Sequence, residues 1–383
     1  MVWRRNMKKH SLFALSFFVT SAAFAQSSVT LYGIIDEGFG FTNNASGNKA
    51  WQFQSGWVAG SRWGLKGTED LGGGLGAIFT LENGFNLNSG ALGQGGREFG
   101  RQAYLGLRSD KLGTVTFGRQ YDSVVDYLAP LTSNGGTTGY IFAHPLDNDN
   151  TDNTFRVNNA VKFASINYGG VKFGGMYAFS NQAGGFSSNS EYSAGVTYTG
   201  GAISVAAAYL QANNPGANSG GALAIGDTNF VASRQRIWGA GINYTWESAT
   251  FGAVYTHTSL DSPTASVYVG TFGTNPSSLK FDNFEVNGKY QVTPAFLAAV
   301  MYTYTRGTFN AGAGTSNPKW NQAGISLDYS LSRRTDVYTQ AAYQHVTGGT
   351  TGTLLDEALI PGSAGVSSTT SQVVVRIGLK HVF

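Results

Sequence analysis

The chain ends in an alternating run, Val373-Val374-Val375-Arg376-Ile377-Gly378-Leu379-Lys380-His381-Val382-Phe383. Its odd-numbered positions from 373 to 379 are apolar, whereas the positions between them are mostly small or charged. A period of two residues is that of a β-strand with two different faces. The run therefore predicts a strand with one apolar face, and the chain stops on an aromatic residue where that strand ends.

The same alternation recurs along the chain in segments of roughly ten residues, for example on both sides of a short turn at 167–170. Counted by their starts, the predicted strands number sixteen. They begin near Val29, Ser61, Leu75, Arg101, Thr114, Asn159, Val171, Glu191, Ala202, Arg236, Ala249, Lys280, Phe296, Asn321, Asp336 and Thr370. An even number of such segments is typical of a closed transmembrane β-barrel.

The links between these segments alternate in length. Tight links occupy 69–74, 110–113, 169–170, 200–201, 247–248, 293–294 and 331–335, and the others are long and rich in Gly, Ser and Asn. Soluble β-sandwiches and β-solenoids also alternate, but the weakly charged polar faces and the recurring apolar face favour a barrel. We predict an all-β fold: a 16-stranded antiparallel transmembrane β-barrel with short periplasmic turns and long extracellular loops.

Composition excludes several other classes of protein. The 383 residues are 42% hydrophobic but only 12% charged, against about 25% charged in soluble domains. With 53 glycines, 8 prolines and no Gly-X-Y period, the chain is not collagenous. It has no cysteine, which excludes disulfide scaffolds and thiolate metal sites. No stretch is long and apolar enough for a membrane-spanning helix.

Residues 1–25 are predicted to be a secretory signal peptide. Basic residues precede an apolar stretch at 12–19 and the A-x-A cleavage site Ala23-Phe24-Ala25, with Met7 as an alternative start. Residues 26–383 are then a single barrel domain. The leader holds four of the 25 basic residues, which leaves 21 basic against 22 acidic residues in the mature chain. Because this balance is nearly neutral, no nucleic-acid partner is expected.

The sequence contains no metalloprotease, serine-hydrolase, P-loop or dinucleotide-binding motif. We therefore predict no catalytic residue, no metal and no cofactor. A hydrolase on the barrel wall would need a serine near a histidine, and His257 with Ser259 is one formal candidate. Because two such residues often fall two positions apart by chance, an outer-membrane hydrolase is the weaker alternative.

Residues 121–158 form a long link with few strand signals, and such links in compact domains are usually functional. Five aspartates lie in it, among them Asp122 and Asp126, and apolar residues such as Val124, Leu128 and Phe142 separate them. A loop exposed to water does not need these apolar residues. We expect the loop to fold back into the barrel and pack on the wall, with a surface loop that caps the barrel as the alternative.

Four stretches carry a family resemblance: SVTLYG at 28–33, SRWGLKGTEDLGGGL at 61–75, GTVTFGRQ at 113–120 and GLKHVF at 378–383. Together they resemble the general diffusion porins of β-proteobacteria, and the likeness spans the whole mature chain. The resemblance implies a homotrimer exported to the outer membrane, in contact with outer-membrane lipids and lipopolysaccharide. It also implies a third loop, here 121–158, that folds inward to narrow the pore.

In that family, arginines on the barrel wall face the constriction. The matching positions are Arg62, Arg101 and Arg156, with Arg119 close by, and the terminal Phe383 is expected to serve membrane insertion. Strand parity places Arg62 and Lys66 in the lumen. Arg101 and Arg119 instead share parity with apolar residues, so a bulge near the rim, a subunit contact or a position above the apolar band must account for them.

The resemblance implies a water-filled channel for the passive diffusion of small hydrophilic solutes and ions, and not an enzyme. The candidate wall cations are Arg62, Lys66, Arg101, Arg119 and Arg156, and the candidate acids of the constriction loop that face them are Asp122 and Asp126. If Arg62, Arg101 and Arg156 converge at the narrowest point of the pore, a mild preference for anions is expected. A substrate-specific channel is the alternative. It would show a stripe of aromatic residues along the lumen, and the predicted lumen faces are too mixed for that.

Overall fold

The structure, a computed structural model, describes residues 27–312 and 314–383, so the predicted leader at 1–25 lies outside the described residues. Sixteen antiparallel strands close into one barrel, as predicted. The strands are β1 (Ser28–Ala45), β2 (Asn48–Ser55 and Arg62–Gly72), β3 (Leu75–Gly84), β4 (Gln102–Ser109), β5 (Gly113–Gln120), β6 (Val157–Ser165), β7 (Val171–Ala178), β8 (Ser190–Gly200), β9 (Ile203–Asn213), β10 (Arg234–Trp246), β11 (Ala249–Asp261), β12 (Ser278–Thr293), β13 (Phe296–Ala311), β14 (Gly314–Ser316 and Lys319–Ser330), β15 (Thr335–Thr347) and β16 (Ser371–Val382).

The barrel closes between its first and last strands. β1 pairs with β16 from Ile34, opposite Val382, to Thr42, opposite Val374. Beyond this ladder, the backbones of Gly33 and Phe383 exchange two hydrogen bonds of 3.0 Å. A side chain at position 33 would collide with the Phe383 ring, so the glycine lets the terminal aromatic lie across the seam.

The second strand begins earlier than the sequence pattern predicted. β1 and β2 are joined by a two-residue turn, Ser46-Gly47, and β2 starts at Asn48 and not near Ser61. Both turn residues have positive φ, 51° and 92°, as the commonest tight hairpin turn requires. The first extracellular link is therefore short, and the irregular segment at 56–61 is an interruption within β2.

The wall has two chemically different faces. Outward side chains are largely apolar and exposed, such as Leu105, Phe284 and Ile377. Inward side chains include Asp36, Glu285 and Gln340, and they are buried by loops that fill part of the lumen. In the part of the chain that the structure describes, no helix has the length and hydropathy needed to cross a bilayer.

The remaining elements lie in the loops. The link between β5 and β6 contains five short helical turns, at Val124–Leu128, Ala129–Leu131, Asn134–Thr138, Tyr140–Phe142 and Pro145–Asp147. Another turn lies at Leu354–Asp356. Strands Phe230–Val231, Ala265–Ser266 and Gly270–Thr271 pair into a small separate sheet made by the β9–β10 and β11–β12 loops.

Candidate functional site

Residues 121–155, between β5 and β6, are named loop 3, and they lie inside the barrel. Arg156 joins loop 3 to the wall strand β6. The first half packs on one side of the wall, where Val124 and Leu128 are fully buried together with Ile237 of β10. Farther along, Ile141 and Phe142 are fully buried against the opposite side. The apolar residues of loop 3 therefore hold a segment that crosses the lumen.

A buried ionic cluster fixes the centre of loop 3 to the wall. His144 Nδ1 lies 2.6 Å from Asp149 Oδ2, and His144 Nε2 lies 3.1 Å from Glu285 Oε2 on β12. The other oxygen of Glu285 accepts a hydrogen bond of 2.7 Å from the Ser133 backbone N–H. Burial alone would lower the pKa of His144, but the two flanking carboxylates raise it to about 10. The imidazolium thus links two parts of loop 3 to one wall residue.

Loop 3 and one sector of the wall enclose a cavity of about 580 Å³, named here the constriction cavity. Its wall side carries Arg62, Arg101 and Arg156. Its loop side includes Asn134 and Asp152. Among the described residues that line the cavity, these three guanidinium groups face a single carboxyl group.

One carboxylate behind the cavity orients two of the arginines. Glu82 Oε1 lies 2.8 Å from Arg101 Nε and 4.0 Å from Arg62 Nη1. Tyr32 donates a hydrogen bond of 2.9 Å to Glu82 Oε2, and Tyr121 donates one of 3.2 Å to Oε1. Because the Glu82 carboxylate already binds these two hydroxyls and Arg101, it positions Arg62 and Arg101 without neutralising the positive charge of both.

Of the three arginines that line the constriction cavity, Arg156 has the positive charge that nearby carboxylates neutralise least. Its Cζ lies 5.8 Å from the centre of the Tyr121 ring, and its Nη1 donates to the Thr154 carbonyl at 3.3 Å. Its Nε is buried and has no protein partner in the described structure. Burial and the neighbouring Arg101 lower the pKa of Arg156 to about 10, which still leaves it charged at neutral pH.

The aspartates predicted to face the arginines do not line the constriction cavity. Asp122 is fully buried, and its Oδ1 accepts hydrogen bonds of 2.7 and 3.2 Å from the Val124 and Val125 backbone N–H groups. Asp126 forms an ion pair with Lys162 of β6. Burial raises the pKa of Asp122 to about 6. Both acids shape the start of loop 3, and Asp152 takes the position expected for them.

Two of the predicted wall cations also lie elsewhere. Lys66 is in the lumen, with its Nζ 5.2 Å from the centre of the Tyr32 ring, but it does not line the constriction cavity. Arg119 is buried and makes two hydrogen bonds, of 2.9 and 3.1 Å, to Asp227 in the β9–β10 loop. Arg119 thus joins the wall to an extracellular loop.

Local backbone geometry explains the two arginines of unexpected parity. Arg101 directly precedes β4, so the alternation of the strand does not direct its side chain. Arg119 follows Gly118, whose φ is 135°, and the register of β5 with β6 shifts between 118 and 120. Such a bulge redirects the next side chain, and this matches the rim bulge considered from the sequence.

Glu82, Tyr121 and Asp152 belong to the site, although the sequence analysis did not select them. Glu82 had a usable signal, because its register opposite Gly64 and Gln102 places it on the lumen face that Arg62 shares. Tyr121 and Asp152 lie in loop 3, where no periodicity indicates the direction of a side chain.

The histidine considered for hydrolysis lies on the outer wall. His257 Nδ1 is 2.7 Å from Asp282 Oδ1, and its ring packs against Trp238 with 5.5 Å between ring centres. Ser259 occupies the same outward face, two residues along β11. These contacts give His257 a place in the outer surface of the barrel, away from the constriction cavity.

Comparisons with known proteins agree with this architecture. The family described as "Gram-negative porin" matches residues 11–349. An outer membrane porin protein of Bordetella pertussis is 32% identical over 84% of this chain and 90% of its own length. Outer membrane porin protein 32 of Delftia acidovorans is 29% identical over 98% of this chain and all of its own. Among solved structures, an anion-selective porin from Comamonas acidovorans matches with a TM-score of 0.71 and 22% identity, covering 94% of this chain and 100% of that one.

Proposed function

The chain belongs to the Gram-negative porin family, and on that premise we propose that its constriction makes it an anion-preferring diffusion channel. It forms a water-filled channel in the outer membrane for the passive diffusion of small hydrophilic solutes and ions, and it is not an enzyme. The preference for anions is the part of this proposal that goes beyond membership of the family. It concerns the residues that line the constriction cavity.

The charge balance of the constriction cavity carries this proposal. Arg62, Arg101 and Arg156 line it with one carboxyl group, Asp152. Burial raises the pKa of Asp152 to about 7, so at neutral pH that carboxyl carries only part of a negative charge. A passing anion therefore meets an excess of positive charge in a narrow space, where electrostatic interactions decide ion selectivity. The similar porin from Comamonas acidovorans is described as "anion-selective", which supports a preference of the same sign here.

Reversal potentials in a KCl gradient across a planar bilayer test the proposal. We expect an anion-selective wild type and a weaker or reversed preference in Arg62→Glu. Lys66→Glu is the matched control, because it reverses one lumenal charge on the same strand outside the constriction cavity. A cation-selective wild type, or equal effects of the two variants, would refute the proposal. Current that saturates with one particular solute would instead indicate a substrate-specific channel.

We also propose that three copies associate through β1 to β5. Near the periplasmic end, strands β8 to β14 carry outward aromatic residues such as Tyr198, Trp246 and Tyr329, as expected where a barrel meets the lipid–water interface. At the same end, the terminal four residues of each of the strands β1 to β5 include Val29 and Leu107 and, in the described chain, contain neither Tyr nor Trp. The outward aromatic residues of β8 to β14 form an aromatic belt at the periplasmic end. The sector β1 to β5 lacks this aromatic belt and is therefore suited to contact with another subunit. One of the similar solved structures is a trimer form of OmpT from Vibrio cholerae.

The mass of the detergent-solubilised protein tests this assembly, and three chains per particle are expected. Leu107→Asn should lower the trimer fraction, because it places an amide in the proposed contact. Val300→Asn is the control, since Val300 is similarly exposed, 52% against 56%, but lies in the sector that carries the aromatic belt. Equal behaviour of the two variants would contradict the proposed interface.

Export through a cleaved leader is a further part of the proposal. The pattern of basic, apolar and small residues before Gln26 is that of a secretory signal peptide. Amino-terminal sequencing of the protein from purified outer membranes should begin at Gln26. A sequence that begins at Met1 or Met7 would contradict cleavage at this site.

A further inference from the structure

The constriction cavity has an apolar surface beside its arginines, although it lies in a water-filled passage. Loop 3, the β11–β12 loop and the interruption of β2 supply this surface, named here the apolar lining. Its members are Val58, Val125, Pro130, Tyr140, Val267 and Tyr268. Val267 lies between the short strands Ala265–Ser266 and Gly270–Thr271 and is 65% exposed. Because water solvates apolar surface poorly, free energy is gained when an apolar group covers this lining.

Hydrogen bonds hold the two tyrosines of the apolar lining in position. The Tyr140 hydroxyl donates a hydrogen bond of 3.3 Å to the Tyr268 hydroxyl, which lies 2.9 Å from Thr154 Oγ1. The Tyr140 backbone N–H also donates one of 2.8 Å to the Trp57 carbonyl. Since both hydroxyls already have protein partners, each tyrosine offers a solute chiefly its ring. The rings are ordered in advance, so a solute that contacts them does not have to order them itself.

The apolar lining continues toward the extracellular side. A second cavity of about 400 Å³, named here the vestibule cavity, shares Trp57, Tyr140, Val267 and Tyr268 with the constriction cavity and adds Phe53. It also borders the extracellular β3–β4 and β15–β16 loops. A solute that enters from outside therefore meets aromatic side chains before it reaches the arginines.

Two of the arginines that line the constriction cavity have free hydrogen-bond donors. Within residues 27–312 and 314–383, Arg62 donates no hydrogen bond, and its ion-pair contact with Glu82 Oε1 is as long as 4.0 Å. Arg156 donates from Nη1 to the Thr154 carbonyl at 3.3 Å, and its Nη2 has no partner in the same part of the chain. Arg101, by contrast, is bound to Glu82 at 2.8 Å. Because one guanidinium can hold a carboxylate through two parallel N–H groups, Arg62 and Arg156 are suited to bind one.

We propose that the constriction cavity binds small monocarboxylates with an apolar body, of the aryl carboxylate class, in preference to hydroxylated carboxylates of similar size. The carboxylate takes the free donors of Arg62 or Arg156, and the apolar body covers the apolar lining. The volume of about 580 Å³ is that of a small-molecule site, and such sites combine an apolar surface with a few polar groups. The inference rests on the proposed anion preference and adds the chemical class of anion that the cavity holds.

Block of the KCl current through the purified protein in a planar bilayer tests the proposal at pH 7, where carboxylic acids are ionised. Benzoate is the probe. Gluconate is a carboxylate with a hydroxylated body, and benzamide carries the ring without the charge. We expect benzoate to halve the current at a concentration at least tenfold lower than either of them, because burying part of an aryl ring contributes about tenfold in affinity. Equal potency of benzoate and gluconate, or of benzoate and benzamide, would overturn the proposal.

Two variants test the apolar lining itself. Val267→Ser removes apolar surface without altering charge, so it should raise the half-blocking concentration of benzoate about threefold and leave that of gluconate unchanged. Val231→Ser is the matched control, because Val231 is also an exposed valine of the small loop sheet but lines neither cavity. Tyr268→Ser should weaken benzoate block further than Val267→Ser. Wild-type block in both lining variants, or equal loss in the control, would contradict the proposal.

The reversal potential in a KCl gradient, measured in parallel, separates this inference from the proposed function. Neither Val267→Ser nor Tyr268→Ser alters a charge, so both should keep the anion preference of the wild type. An anion-selective wild type that binds benzoate no better than gluconate refutes the carboxylate site alone. A cation-selective wild type refutes the anion preference on which the site rests.

Discussion

Removing the charge of Arg156 should reduce the anion preference of the pore more cleanly than any other single change. Arg156 lines the constriction cavity, and no carboxylate of the described chain lies within ion-pair distance of it. Arg156→Gln therefore leaves no acid without a partner. Glu82 keeps its 2.8 Å contact with Arg101 in this variant, so the rest of the wall should stay in place.

The size of the effect follows from Coulomb's law. A unit charge about 6 Å from a passing ion contributes about 0.7 kcal/mol in water. Loss of that charge raises the energy of an anion and lowers that of a cation by the same amount, so their permeability ratio falls about tenfold. At about 0.1 M salt the Debye length of about 10 Å screens nearly half of this energy, which leaves about a threefold change. We expect the anion-to-cation permeability ratio of Arg156→Gln to be about three- to tenfold lower than that of the wild type.

The assay is the reversal potential across a planar bilayer in a KCl gradient whose dilute side is about 0.1 M, where screening is still moderate. Asp152→Asn serves as the opposite perturbation in the same cavity, and it should increase anion preference. The reasoning fails if Arg156→Gln leaves the permeability ratio unchanged, or if both variants shift it in the same direction.

Three further outcomes are expected. Because burial raises the pKa of Asp152 to about 7, its negative charge is lost as the pH falls from 8 to 6, so anion preference should rise over that range in the wild type but not in Asp152→Asn. The two flanking carboxylates raise the pKa of His144 to about 10, so the stabilisation that protonated His144 gives the folded barrel is complete below about pH 6.5 and is lost as the pH rises through 10. The thermal unfolding temperature of the wild type should therefore fall between pH 7 and 10, whereas that of His144→Gln should not show this fall. Asp36 is fully buried and pairs with Arg376 at 3.4 Å; Asp36→Asn should lower the free energy of unfolding by about 3–5 kcal/mol in urea titration, since it leaves a buried charge without its partner.

The barrel was predictable because each strand repeats one simple constraint. Apolar residues must face lipid and every backbone group must pair, so alternation and an even strand number follow from the sequence alone. The exception at the start of β2 has a local cause. A hairpin turn at Ser46-Gly47 and an interruption at 56–61 change the length of a loop without changing the alternation.

The site was predictable only where the strand ladder directs side chains. Parity placed Arg62 on the lumen side, where the structure has it. Arg101 lies just before its strand, and Arg119 lies in a bulge, so parity did not determine their directions. Loop 3 has no periodicity at all, and therefore the sequence pointed to Asp122 and not to Asp152.

In addition to the apolar contacts and the buried ionic cluster, the wall holds loop 3 through the loop's own backbone. Gln322 Nε2 donates hydrogen bonds of 3.1 Å to the carbonyls of Ile141 and Ala143. Gln340 donates one of 2.6 Å to the Thr138 carbonyl, and Asn287 donates one of 3.1 Å to the Leu131 carbonyl. A side-chain amide that binds a carbonyl does not depend on the side chain of the residue that carries it. Side chains of loop 3 that face the arginines can therefore change charge without releasing the loop, which separates the size of the passage from its ion preference.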